Sequence, residues 1–140
     1  MTERLNKQEV FDKVASHLLT QNARSVGIEY DEGVAGETTA YTKCMYRGKN
    51  NMMCAAGCLI PDDVYNRTGM ENMNWGAVSH AFFNELDKVI DVKGTQHLVE
   101  NLQDMHDIFE DPKEWPERLL GIAQRHGLEY KGTEFYRGEK

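Results

Sequence analysis

The chain is short of everything that would place it in a specialised class. It has three prolines and three cysteines among 140 residues. Three is an odd number and too few for a disulfide framework, so reduced thiols are expected. Long apolar runs are missing: the longest, such as "CAAGCLI" at 54–60, fall far below the ~20 residues that span a bilayer. The first ten residues, "MTERLNKQEV", contain no apolar core of a secretory signal, so a cytoplasmic location is the expectation. Basic residues are also scarce. Sixteen Lys and Arg stand against 23 Asp and Glu, giving a net charge of −7 that repels phosphate backbones and argues against direct nucleic-acid binding. No internal repeat or low-complexity segment is visible.

What remains is an ordinary globular composition, 40% hydrophobic and 28% charged, long enough for one core and too short for two, so residues 1–140 are expected to form a single domain. Asn6 with Glu9 three residues on reads as a capping box. The stripe Val10, Phe11, Val14, Ala15, Leu18 and Leu19 then predicts a first helix. Residues 27–38, "GIEYDEGVAGET", predict a loop. Residues 39–60 predict a β-hairpin: "TTAYTKCMYR" is rich in strand formers, "GKNN" has turn chemistry, and "MMCAAGCLI" would return. Pro61 predicts a short helical turn after it. Three helices should follow: one from Asn74 to Ile90, one capped by Thr95, and one starting near Pro116 and stopping at Gly127. Residues 129–140 are expected as an edge strand or a loose tail. The fold class read from these elements is α+β, a cluster of about four helices packed on a small antiparallel hairpin or sheet.

Three constellations could carry chemistry. Cys44, Cys54 and Cys58, with His17 or His106 as a fourth ligand, could hold structural zinc; the four-residue step from Cys54 to Cys58 and the lack of a second Cys pair speak against it, and buried filling is the plainer role for these thiols. Cys54 or Cys58 with His106 could form a nucleophilic pair. Asp107 follows His106 directly, and neighbours on a helix point about 100° apart, so Asp107 is not expected to orient that imidazole without a bend. Lys43, Tyr46 and Arg47 lie in the most basic patch, "TKCMYRGK", where Arg47 could grip a phosphate and Tyr46 could stack on a ring. Asp62 and Asp63 would repel an anion there; their expected roles are to cap a helix or pair with Arg47. His17 and Gln21, one turn apart, are expected to support the fold by hydrogen bonding, and Trp75 and Trp115 to anchor helix packing.

The strings "HLLTQNARS", "CMYR", "CAAGCLIPDDVY" and "LQDMHD" resemble a family of small uncharacterised phage, prophage and bacterial proteins with a "CAxGCLIPDD" segment and an "LQxxHD" segment. The resemblance spans about residues 8 to 127. Members often carry a Gly in the turn before the cysteine segment; here that turn reads "GKNNMM". The family transfers no activity residue by residue. The resemblance implies an accessory protein, non-enzymatic and without a cofactor, that binds and neutralises a host defence component in the host cytosol. In its sharper form it sequesters a nucleotide-like signal through Arg47, Tyr46 and Lys43, with homo-oligomers a common form for such proteins. The alternative is an enzyme that depends on Cys54, Cys58 and His106, or on zinc held by Cys44, Cys54, Cys58 and His106.

Overall fold

The computed structural model describes residues 4–32, 38–48, 52–66, 71, 73–109 and 111–138, without the side chains of 27–44. The first helix, α1 (Lys7–Gln21), starts as its sequence dictates. Asn6 Oδ1 accepts from the Glu9 N–H at 2.9 Å, and Glu9 Oε1 accepts from the Asn6 N–H at 3.1 Å. All six residues of its apolar stripe are buried. It ends at Asn22, which takes the left-handed conformation (φ 53°) and returns its N–H to Leu18 O.

Two strands follow, β1 (Val26–Glu32) and β2 (Thr38–Cys44), paired antiparallel from Val26↔Cys44 to Glu32↔Thr38. Residues 33–37, the rest of the expected loop, lie outside the described residues. The expected hairpin over 39–60 does not form. Its first arm pairs backwards with β1, and its return arm keeps one bridge, Arg47↔Met53. Residues 54–60 instead wind into turns and a 3-10 segment, Gly57–Leu59. Ala55, Ala56 and Gly57 offer a strand no β-branched surface. Their small side chains permit tight turns, closed by Cys58 N to Cys54 O, Leu59 N to Ala56 O and Ile60 N to Gly57 O.

The remaining helices are α2 (Asp62–Asn66), α3 (Trp75–Ala81), α4 (Phe83–Leu86), α5 (Val92–Ile108), α6 (Trp115–Arg125) and α7 (Thr133–Arg137). The single helix expected from Asn74 to Ile90 breaks at Phe82 (φ −116°, ψ 31°). Beyond α4 the backbone is committed to the N-terminal segment: Leu5 N donates to Val89 O at 2.8 Å and Asp91 N to Leu5 O at 3.2 Å. An uninterrupted helix could not offer both groups to Leu5. Asp91 rather than Thr95 caps α5, accepting from Gly94 N at 3.3 Å, while the Thr95 hydroxyl donates back to Asp91 O at 2.6 Å. Asp91 captures the start because it lies one turn earlier, where Val92 can already enter the core.

The architecture is therefore helical, and the α+β reading is corrected: the described residues carry seven α-helices, which pack on one another rather than on the two-stranded β1–β2 pair. The helices pack on one another and on the 57–59 turn, with α1 touching α5, α6 and α7, and α5 touching α3 and α6. The core combines the α1 stripe, Ala55 and Ala56, Leu98 and Leu102 of α5, and Trp115 and Leu119 of α6. Residues 133–137, expected as strand or tail, form α7, which docks on α1 through Tyr136 Oη to Asp12 at 2.7 Å. No helix among the described residues is long and apolar enough to cross a membrane.

Candidate functional site

Cys54 and Cys58 serve the turn. The Cys54 Sγ accepts from Gly57 N at 3.2 Å, and the Cys58 thiol donates to Ala55 O at 3.2 Å. Burial pushes both thiols up, Cys58 to about 12, so neither is a ready thiolate at neutral pH. Gly57 explains the glycine between them. A Cβ there would overlap the Tyr46 carbonyl oxygen, so only glycine lets this turn lie against the Tyr46 backbone.

His106 is fully buried and both ring nitrogens are engaged. Nε2 accepts from Ser25 N at 3.0 Å, which fixes the proton on Nδ1, and Nδ1 faces Asp107 Oδ1 at 2.8 Å. Asp107 does orient His106, against the expectation from helical geometry. Both sit in the last turn of α5, and the carboxylate reaches back to its neighbour. The ring also stacks near Trp115, with centroids 5.7 Å apart. Among the described residues no hydrogen bond joins His106 to a cysteine, and no three His, Cys, Asp or Glu side chains are placed to hold a metal ion. The Cys44 side chain, one of the four alternative zinc ligands, lies outside the described residues.

His17 and Gln21 act as expected. His17 Nε2 meets Met53 O at 2.7 Å, and Gln21 both donates to Met53 O at 3.0 Å and accepts from Met53 N at 2.9 Å. Together they clamp the chain before Cys54 onto α1.

The basic patch is built into the protein. Arg47 donates to Asp62 Oδ1 and to Ile60 O, each at 2.6 Å, and its guanidinium lies 5.0 Å from the Tyr65 ring centre. This braces the start of α2 to the Tyr46 segment. Glu71 holds the same segment from the other side: its two oxygens accept from Tyr46 N at 3.0 Å and Arg47 N at 3.1 Å, and Tyr65 Oη donates to it at 2.8 Å. Tyr46 is 6% exposed and its hydroxyl donates to Met73 O at 2.6 Å. The Lys43 side chain lies outside the described residues.

Tyr46 and Glu71 form one wall of a cleft of about 510 Å³. The floor is Met73 to Gly76, at the start of α3. The far wall is one face of α5: Glu100, Gln103, Asp104 and Asp107, at positions i, i+3, i+4 and i+7. Among the described residues four carboxylates line this space and no Lys, Arg or His does. Gln103 and Asp107 are partly engaged: Gln103 accepts from Ala56 N at 2.9 Å and donates to Asp107 at 2.9 Å. Asp104 makes no hydrogen bond among the described residues. Desolvation, then the charges of Asp107 and Glu100, hold its carboxyl above the ordinary range. Trp75 is 2% exposed, and its indole Nε1–H has no acceptor among the described residues.

Of the sequence-derived ligand residues whose side chains are described, Tyr46 lines this cleft and Arg47 does not. Glu71, Trp75, Glu100, Asp104 and Asp107 were not singled out as binding residues. The signal lay in "ENLQDMHD", where like charges recur at helical spacing opposite an apolar stripe, an arrangement unfavourable to the helix by itself. No protein family, curated protein or solved structure matches the chain.

Proposed function

We propose that this protein acts by binding, and that its recognition surface is the acidic cleft between Tyr46, Trp75 and α5. The observation that carries the reading is the uniform sign of the lining: four carboxylates around about 510 Å³, with no cationic side chain among the described residues that line it. Such a cleft focuses negative potential and favours a cationic group. It repels the phosphates of a nucleotide-like signal. The neutralising role implied by the phage-protein resemblance is therefore drawn here in its protein-binding form, with the partner contributing positive charge. Three of the four lining carboxylates stand on α5, which keeps their spacing fixed and so discriminates shape as well as charge.

Isothermal calorimetry tests the reading. Short lysine- or arginine-bearing peptides should give heat that weakens as salt rises, and a panel of cyclic and ADP-ribose-type nucleotides should give none. Nucleotide binding with no cation binding would overturn it.

A further inference from the structure

A second groove, of about 620 Å³, lies between α5 and α6. It holds two of the three large hydrophobic side chains that stand exposed among the described residues, Ile108 and Leu120. Gly121 lies beside them, exposed and in the interior of α6. Glycine weakens a helix interior, and nothing within one copy calls for it there. A Cβ at Gly121 would meet nothing within 4 Å beyond the helix's own backbone among the described residues, unlike the Cβ that Gly57 excludes. The charges around Gly121 are placed evenly. Glu117 stands four residues before it and Arg125 four after, so all three share one face of α6, each charge about 6 Å along the axis from the glycine. Both charged side chains are exposed, and neither makes a hydrogen bond or ion pair among the described residues. Arg118, by contrast, already lies over the Phe109 ring, 4.2 Å from its centre.

We propose that this face pairs two copies of the chain about a two-fold axis at Gly121, their α6 helices crossing antiparallel. In that register Glu117 of each copy meets Arg125 of the other, and the two-fold makes the contact twice. The missing Cβ lets the two α6 backbones approach at the short end of the usual separation of about 8–10 Å. Ile108 and Leu120 flank the crossing and leave water as the surfaces close. A second copy fits this face better than an unrelated partner, because one helix supplies both halves of the charge pattern in the order that its own antiparallel repeat requires. The net charge of −7 drives copies apart elsewhere, so a pairing face must balance its own charges, as Glu117 and Arg125 do. The pairing stands independently of the acidic cleft. Glu117 in the first turn and Arg125 in the last also suit the dipole of α6 within one copy, and the test separates the two roles.

Sedimentation velocity over a concentration series reads the assembly, and circular dichroism reads the fold. The unaltered protein should pass from monomer to dimer as its concentration rises. Gly121→Gln should raise the dissociation constant about tenfold or more and keep the helical content, since the side chain has open space in a single copy. Glu117→Arg and Arg125→Glu should each weaken the dimer by a similar factor, because each sets like charges face to face. The double exchange, Glu117→Arg with Arg125→Glu, should bring the dissociation constant back close to that of the unaltered protein. It also puts both charges at the wrong ends of the helix dipole, so the monomer should melt lower while pairing recovers. If Gly121→Gln does not fold, the charge exchange decides. A monomer at every concentration, a dimer indifferent to these changes, or a double exchange that stays dissociated would overturn the proposal, and the cation-binding reading of the cleft would stand in each case.

Discussion

Gly57 shows how much one residue determines here. Its missing Cβ admits the Tyr46 carbonyl, and through Tyr46 it sets the wall of the cleft. Gly57→Ala should therefore cost about 1–3 kcal/mol, because the clash is with backbone that cannot rotate away; chemical denaturation monitored by circular dichroism measures the cost, and an unchanged midpoint would remove glycine's role. The neighbouring thiols were legible as filling, since free cysteine is a small hydrophobe in most interiors. With Cys44 replaced by serine, Cys54 and Cys58 should react slowly with a disulfide reagent in the native state and fast in denaturant, as the burial of Cys54 and the raised thiol of the half-buried Cys58 require. Arg47 was less legible. Sequence shows a guanidinium near an aromatic, but only the fold shows that Asp62 and Ile60 O already occupy it.

At the scale of elements, local signals succeeded where the determinants were local. The capping box and apolar stripe of α1 lie within 15 consecutive residues and appear as read. The hairpin failed because β2 had two neighbours equally near in sequence, one on each side, and turn residues at "GKNN" favoured the wrong one. The end of the helical run after Leu86 was equally hidden, since Leu5, over 70 residues away, claims Val89 O and Asp91 N. The seventeen-residue α5 carries both faces of the molecule, Leu98 and Leu102 inward and Glu100, Asp104 and Asp107 on the cleft. Leu102→Ala should lose about 2–5 kcal/mol of stability, as buried Leu-to-Ala changes do; a loss below 1 kcal/mol in equilibrium unfolding would mean that α5 does not organise the core.

For the whole molecule, pH dependence follows from its histidines. Burial holds His17 below its ordinary value of 6.5, and desolvation with nearby Lys7 lowers His126 as well. The unfolded chain then binds more protons than the folded one, so these groups stabilise the fold fully above about pH 6.5 and progressively less as pH falls through their folded values. The thermal midpoint should drop between pH 7.5 and 5.5. His17→Gln keeps a donor for Met53 O and should flatten part of that slope; an unaltered slope would assign the effect elsewhere. Asp104 works in the opposite sense. Its raised folded value means that its charge opposes folding above that value.

The measurement that bears most directly on the proposed cation-binding cleft is a paired one on Asp104→Asn: thermal stability, and calorimetric binding of an arginine-bearing peptide at low and physiological salt. The variant should melt no lower than the unaltered protein while its peptide affinity falls at least tenfold and loses much of its salt dependence. A variant that melts lower, or that binds the peptide as tightly as before, would contradict a cleft whose carboxylates are held together to receive positive charge.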